Sequence, residues 1–179
     1  MAGITRRGLV GAGLALALPG MAGAQVRANI SDFRTADWRD HFDSLGLGVI
    51  VADTRARVVH FWSGDGAEYR LYPSSVPISE ELTRLGHTEV VRKVEGPTWT
   101  PTPSMRERDP SLPAGVPAGP TNPLGMHALY LSWQYYRIHG THDTRKIGRP
   151  SSDGCIGLYN EHIADLFARV AVGTRVRLI

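Results

Sequence analysis

The sequence has little cysteine, no apolar run long enough to cross a membrane and no surplus of one charge. Its single cysteine, Cys155, has no partner for an internal disulfide, which excludes a fold held together by disulfides. The N-terminal apolar run, residues 9–18, is about half of the ~20 residues that a membrane-spanning helix needs. Lysine and arginine total 20 against 17 acidic residues, and they are scattered. We therefore expect a soluble globular protein that does not bind nucleic acid.

The pattern of apolar residues is that of a β-rich domain. Segments rich in β-branched and aromatic residues alternate with turn residues, at residues 47–53, 56–62, 68–73, 88–96, 127–133, 135–140 and 174–179. The 179 residues suit one domain with a real core better than two. We predict a fold that is mainly β with a few short helices, as a single domain over residues 46–179 after a lead-in segment over residues 25–45.

Two segments have features of helices. Residues 79–86 start with Ser79 and end at Gly86, residue types that begin and end helices. Residues 161–172 place apolar side chains three and four positions apart, after Asn160 and before Gly173. We predict a brief helix over residues 79–86 and an amphipathic helix over residues 161–172, capped by Asn160, that packs on the sheet.

The N-terminus has the three parts of a cleavable export signal. Arg6 and Arg7 precede the apolar run, and small residues at 22–24 precede the expected cleavage site. The sequence around the two arginines also fits twin-arginine export, so the export route stays open. We expect residues 1–24 to be removed, leaving a protein of the periplasm or cell envelope without a permanent membrane anchor. Losing both arginines and no acidic residue lowers the formal net charge from +3 to +1.

Proline is concentrated in one internal segment. Residues 97–123 hold eight of the twelve prolines, which excludes a central strand or a long helix there. Long irregular segments inside compact domains are usually functional, although a linker between two domains has a similar composition. We interpret residues 97–123 as an ordered lid or wall of a site.

The single cysteine lies in a segment suited to nucleophilic chemistry. His139 ends a predicted strand, and a polar loop leads from it to Gly154 and Cys155. An imidazole beside a thiol can act as base and then as acid, and Gly154 leaves room for a carbonyl to approach the backbone N–H groups of residues 154 and 155. Ser152 is expected to support the loop. Another interpretation is a metal site formed by His139, His142 and Cys155.

These residues resemble the catalytic signature of the L,D-transpeptidases. Residues 139–158, HGTHDTRKIGRPSSDGCIGL, follow its order of His-Gly-Thr, a loop, and Ser-x-Gly-Cys with an aliphatic residue. WTPTPSM at residues 99–105 and GPTNPLG at residues 119–125 are similar to the family's sequence before its histidine. The resemblance covers most of residues 46–179.

The resemblance implies a cysteine enzyme that acts on peptidoglycan stem peptides without a cofactor. Cys155 corresponds to the nucleophile that attacks the carbonyl of the third stem residue, and His139 to the base, with the Gly140 carbonyl orienting the imidazole. An amine acceptor, on a stem peptide or an envelope protein, then resolves the thioester. Carbapenems are the expected inhibitors. Resolution by water would give an L,D-carboxypeptidase or endopeptidase instead.

One position departs from the family pattern. The family usually has arginine two residues after the cysteine, where this chain has Gly157. A substrate carboxylate would then need another cation, for which Arg137, Arg145, Lys146 and Arg149 are candidates. We favour Arg149 over Arg137 in this role. The departure also leaves open a catalytically weak peptidoglycan-binding protein. The residues expected to bind substrate are Trp99, Arg137, Thr141 and Arg149.

Overall fold

The computed structural model describes residues 36–179. In this range the strands are β1 (Val49–Asp53), β2 (Val58–Trp62), β3 (Tyr69–Pro73), β4 (Val76–Pro77), β5 (Gly86–Glu95), β6 (His127–Leu131), β7 (Arg137–His139), β8 (Pro150–Ser152), β9 (Ile156–Gly157) and β10 (Arg175–Leu178). The α-helices are α1 (Pro103–Arg108) and α2 (Asn160–Arg169), and short 3-10 helices cover Trp38–Asp40 and Thr144–Lys146. The fold is mainly β with a few short helices, as the sequence predicted.

The larger sheet brings the two ends of the sequence signature together. Within the described residues it has eight strands in the order β3-β2-β1-β10-β5-β6-β7-β9. β1 and β10 are parallel, as are β7 and β9, and the other neighbours are antiparallel. β7 ends at His139, and β9 begins directly after Cys155. These two residues therefore lie at the same edge of the sheet.

The core explains why β1 is apolar at successive positions. Ile50 and Ala52 belong to the main buried cluster, whereas Val49 and Val51 belong to a second cluster with Phe42. Successive side chains of a strand point to opposite faces, so β1 is buried on both faces of the sheet. The second cluster includes Trp38 as a partly buried neighbour. The described part of the lead-in segment thus packs against the sheet, and residues 1–35, with the expected export signal, lie outside the described residues.

The predicted amphipathic helix is present, but its ends differ from the prediction. α2 buries Ile163 and Leu166 against the sheet and ends at Arg169, before Gly173. Tyr159 is the N-cap residue and makes no side-chain cap hydrogen bond. Asn160 is the first helical residue, and its side-chain amide bonds to the backbone of Met126 and Thr141 instead of capping the helix. The prediction that Asn160 caps the helix was therefore wrong.

The predicted helix over residues 79–86 is absent. The Thr83 backbone N–H donates to the Glu80 carbonyl (3.0 Å) and the Thr83 hydroxyl to the Ser79 carbonyl (2.7 Å), which closes a single turn. The Leu82 carbonyl accepts from the Tyr136 hydroxyl at 3.0 Å. Gly86, with φ of 131°, begins β5 and pairs with β10 instead of ending a helix. Tertiary contacts therefore override the local helix signal here.

The proline-rich segment is ordered and contains one short helix. α1 has Pro103 in its first turn, and the Thr102 hydroxyl accepts from the Met105 backbone N–H at 3.3 Å. The Asn122 amide donates to the carbonyls of Pro97, Val116 and Pro117, which ties the two ends of the segment together. No helix among residues 36–179 has the length and apolar character that crossing a bilayer requires.

Candidate active site

A cavity of about 390 Å³ opens at the sheet edge where β7 and β9 meet. One wall comes from the proline-rich segment, so the prediction that residues 97–123 form a lid or wall is confirmed. His139 and Cys155 are also among the lining residues. The remaining polar side chains of the lining include Ser75, Arg137, Thr141, Lys146, Ser152 and Asp153.

His139 is held in one tautomer by its neighbour. Its Nδ1 lies within hydrogen-bonding distance of the Gly140 carbonyl oxygen, which can only accept, so Nδ1 donates. The lone pair of Nε2 is then free to take a proton. Burial lowers the pKa of His139 from its ordinary value to about 4, against the effect of the Gly140 carbonyl, and the nearby charges of Arg137 and Lys146 add to the lowering. At neutral pH His139 is therefore an uncharged base.

The Cys155 thiol is a neutral group in the resting site. Its Sγ donates to the Tyr135 carbonyl oxygen at 3.3 Å. Burial raises the pKa of the Cys155 thiol above its ordinary value, while the charge and hydrogen bonding of Arg137 act in the opposite direction. Tyr135 has φ of 67°, a left-handed backbone conformation that is costly for a residue with a side chain. Because its charge and hydrogen bonding lower the pKa of Cys155, Arg137 is the cation that stabilises a thiolate at this position.

The turn before Cys155 requires glycine. Gly154 has φ of 124°, and a Cβ there would lie 3.2 Å from the Tyr136 ring. The Tyr136 hydroxyl is in turn bound to the Leu82 carbonyl, so the ring cannot easily move away. The Ser152 hydroxyl donates to the Cys155 carbonyl at 2.5 Å and closes the turn. A thiol, a neutral imidazole and a tight glycine turn beside one cavity are suited to nucleophilic acyl transfer.

Three of the four residues expected to bind substrate line the cavity. Trp99 exchanges two backbone hydrogen bonds with Val116 (2.8 and 2.9 Å) and is partly buried in the wall. Thr141 is buried, and its hydroxyl accepts from the Asp143 backbone N–H at 3.1 Å. Arg137 lines the cavity, and its Cζ lies 4.8 Å from the centroid of the Tyr130 ring, on which the guanidinium stacks. Arg149 is not among the lining residues, whereas Lys146, another candidate cation, is.

Gly157 is explained by a residue that the sequence analysis missed. Ser75 is buried, lines the cavity and exchanges backbone hydrogen bonds with Gly157 (2.8 and 3.2 Å). A Cβ on Gly157 would lie 2.4 Å from Ser75 Oγ, well inside contact distance. The space in which a longer side chain at position 157 would start is filled by this hydroxyl. The sequence held no signal for Ser75, because it lies 82 positions from Gly157 along the chain.

An ion pair links the proline-rich segment to the turn before Cys155. Arg108, the last residue of α1, donates from Nη2 to Asp153 Oδ1 at 2.7 Å. The Arg108 side chain is 53% exposed and that of Asp153 24%, so solvent weakens the pair. Asp153 occupies the variable position of the Ser-x-Gly-Cys motif, and the sequence held no signal for its contact with Arg108, 45 positions earlier.

The geometry does not fit the alternative metal site. Among residues 36–179, no three His, Cys, Asp or Glu side chains are grouped closely enough to hold a metal ion. His139, His142 and Cys155 therefore do not form such a set, although all three line the cavity. His142 is exposed, whereas Nδ1 of His139 is already bound to the Gly140 carbonyl.

Comparisons with known proteins find relatives that are named as L,D-transpeptidases. Residues 48–178 match the family model of the L,D-transpeptidase catalytic domain, YkuD. A Fuscovulum blasticum protein named as an L,D-transpeptidase of the ATP synthase subunits region, ORF 5, is 60% identical over 172 residues, covering 94% of this chain and 90% of the relative. Escherichia coli ErfK/SrfK, also named as an L,D-transpeptidase, is 42% identical over 142 residues, covering 76% of this chain and 45% of the relative. The chain thus spans about half of the length of this second relative.

Solved structures share the fold at low sequence identity. An L,D-transpeptidase from Mycobacterium smegmatis superposes with a TM-score of 0.55 at 20% identity, covering 74% of this chain and 58% of that one. L,D-transpeptidase 3 from Mycobacterium tuberculosis, in complex with a faropenem-derived adduct, superposes with a TM-score of 0.56 at 19% identity, covering 74% of this chain and 60% of that one. The family match over residues 48–178 and the 60% identical relative show that the chain belongs to the L,D-transpeptidase family.

Proposed function

We propose that this protein is an exported L,D-transpeptidase that transfers peptidoglycan stem peptides through a thioester on Cys155. The observation that carries the proposal is that His139, with Nδ1 bound to the Gly140 carbonyl, and Cys155 line the same cavity. Family membership supports the reaction class. Export, by a signal over residues 1–24, would bring the enzyme to the envelope, where its substrate is.

Acylation begins with a neutral thiol and a neutral imidazole. Nε2 of His139 takes the proton of Cys155, and the sulfur attacks the carbonyl carbon of the third stem residue. The backbone N–H groups of residues 154 and 155 stabilise the oxyanion that forms. The amide bond then breaks, and the imidazolium gives its proton to the departing D-alanine amine. The products of this half-reaction are free D-alanine and the Cys155 thioester.

The second half-reaction releases the enzyme. An acceptor amine attacks the thioester carbonyl, His139 removes a proton from the attacking nitrogen, and the same proton returns to the sulfur of Cys155. The product is an amide between the third stem residue and the acceptor. Water in place of the amine would give hydrolysis and an L,D-carboxypeptidase or endopeptidase. The acceptor amine can belong to another stem peptide or to an envelope protein.

Arg137 is the residue that we assign to the substrate carboxylate, in place of the arginine usual at position 157. It lines the cavity beside Cys155, whereas Arg149 does not. Its guanidinium stacks on Tyr130 and donates from Nη1 to the Tyr135 carbonyl at 3.3 Å, and these two contacts fix its plane. Trp99 and Thr141 complete the surface that the stem peptide would contact.

Product analysis of purified sacculi tests the proposal. Sacculi are incubated with the wild-type protein or with Cys155→Ala, digested with a muramidase, and the products are identified by mass. New crosslinks between third stem residues support transpeptidation, and trimmed stems alone would indicate hydrolysis. Unchanged sacculi would favour a weakly catalytic peptidoglycan-binding protein. The wild type should also gain one drug mass from a carbapenem, and Cys155→Ala none.

A further inference from the structure

The side chain of Asn160 joins two backbone segments next to the catalytic histidine. Its Oδ1 accepts from the Met126 N–H at 3.1 Å, just before β6. Its Nδ2 donates to the Thr141 carbonyl at 3.1 Å, two residues after His139. Asn160 therefore uses both sides of its amide away from its own helix, although it stands at the first position of α2.

Two glycines are required for this side chain to fit. A Cβ on Gly125 or on Gly140 would lie 2.2 Å from Asn160 Oδ1. A Cβ on Gly125 would also lie 2.7 Å from the Gly140 carbonyl carbon, and Gly125 has φ of 64°. The amide of Asn160 thus sits in contact with the backbone of both glycines. No side chain at either position could share this space.

This contact constrains the peptide group that orients His139. The Gly140 N–H donates to the His127 carbonyl at 3.1 Å, and the next carbonyl, that of Thr141, is held by Asn160. The Gly140 carbonyl lies between these two anchors and accepts from Nδ1 of His139. A glycine backbone has wide conformational freedom, so the direction of its carbonyl depends on such anchors.

We propose that Asn160 is a positioning residue that fixes the Gly140–Thr141 backbone, so that the Gly140 carbonyl keeps His139 in the tautomer with a free Nε2. Asn160 acts through the backbone and does not itself contact the substrate. The inference rests on the proposed function for its kinetic consequence. The tautomer of His139 can be observed without any substrate.

The tautomer is the direct test. Two-bond ¹H–¹⁵N spectra of the full chain report the ¹⁵N shifts of each imidazole, and the loss of one set in His139→Gln assigns His139. In the wild type we expect a protonated Nδ1 and an unprotonated Nε2. In Asn160→Ala both anchoring bonds are lost, and we expect the His139 shifts to move toward a mixture of tautomers. Glu161→Ala, at the exposed next position of α2, is the matched control and should keep the wild-type shifts.

A second variant separates the two bonds and is close to isosteric. Asn160→Asp keeps an acceptor for the Met126 N–H but sets a carboxylate oxygen against the Thr141 carbonyl. If the bond to Thr141 matters, the His139 shifts of Asn160→Asp should resemble those of Asn160→Ala. If Asn160 only anchors Met126, the shifts of Asn160→Asp should resemble those of the wild type, and this result would contradict the inference. Thermal unfolding of each variant shows that the comparison is made on folded protein.

Kinetics with a disaccharide-tetrapeptide then separate the inference from the proposed function. Misplacing a catalytic group by about 1 Å can cost on the order of 100-fold, so Asn160→Ala should lose about 10- to 100-fold in kcat with little change in KM. Wild-type shifts of His139 in folded Asn160 variants would overturn the inference even if the enzyme is active. A wild type that does not process the tetrapeptide would instead refute the proposed function, and the tautomer would still test Asn160.

Discussion

Replacing Gly157 with alanine should destabilise the protein through a single identifiable contact. The added Cβ would lie 2.4 Å from Ser75 Oγ, whereas ordinary contacts begin near 3.4 Å. Ser75 is buried and paired by its backbone to Gly157, so it can relieve the overlap only by rotating its hydroxyl or by shifting the strand. Overpacking a buried site in this way typically costs about 1 to 3 kcal/mol.

The same geometry predicts that a second change removes the cost. In Ser75→Ala the hydroxyl is gone, and the nearest remaining side-chain atom, Cβ of residue 75, lies 3.7 Å from the new methyl group, an ordinary contact. The double variant Ser75→Ala/Gly157→Ala should therefore be more stable than the sum of the single variants predicts. We expect a coupling free energy of about 1 to 2 kcal/mol between the two sites.

Urea unfolding of the wild type and the three variants measures this coupling. Additive effects within about 0.5 kcal/mol, or a Gly157→Ala protein as stable as wild type, would show that Ser75 does not exclude side chains from position 157. Gly157→Arg should lower the free energy of unfolding more than Gly157→Ala does. In that case the arginine usual in the family cannot simply be restored in this chain.

Three further predictions concern the site. Arg137→Ala should lower kcat/KM about 10- to 100-fold, as expected for a lost charge-assisted hydrogen bond of ~1.5 to 3 kcal/mol. Arg149→Ala should lower kcat/KM less than threefold. The reverse order of the two effects would restore Arg149 as the substrate cation. Arg108→Ala should leave the free energy of unfolding within about 1 kcal/mol of wild type but raise KM for the tetrapeptide, and an unchanged KM would show that the ion pair with Asp153 does not shape the cavity. Because burial lowers the pKa of His139 to about 4, the unfolded chain binds more protons between pH 6.5 and 4. Stability should therefore fall as the pH drops through this range, and less steeply in His139→Gln.

The strand pattern could be predicted because it depends on local sequence. Alternation and β-branched residues marked β1, β2 and β3 within a few positions, and the spacing of Ile163 and Leu166 marked α2. The prediction of a helix over residues 79–86 was wrong because contacts between residues distant in sequence outweigh the local helix signals. The Leu82 carbonyl is bound to Tyr136, and Gly86 is drawn into the sheet beside β10.

The signature residues of the site were predictable because they share one segment. His139, Gly140, Ser152, Gly154 and Cys155 lie within seventeen positions, and a motif records their order. Contacts made across the fold left no such record. The bonds of Asn160 and the packing of Ser75 against Gly157 depend on how α2 and β4 approach the signature, and only the three-dimensional structure shows this.

Intact-mass analysis of the acyl-enzyme tests the central claim most directly. The wild type is mixed with a tetrapeptide stem, quenched in acid within the first turnover, and weighed, with Cys155→Ala as the control. We expect a gain equal to the tetrapeptide minus D-alanine, located on Cys155 by peptide mapping and absent from the variant. D-alanine release by the wild type without such an adduct, or release that persists in Cys155→Ala, would contradict a thioester mechanism.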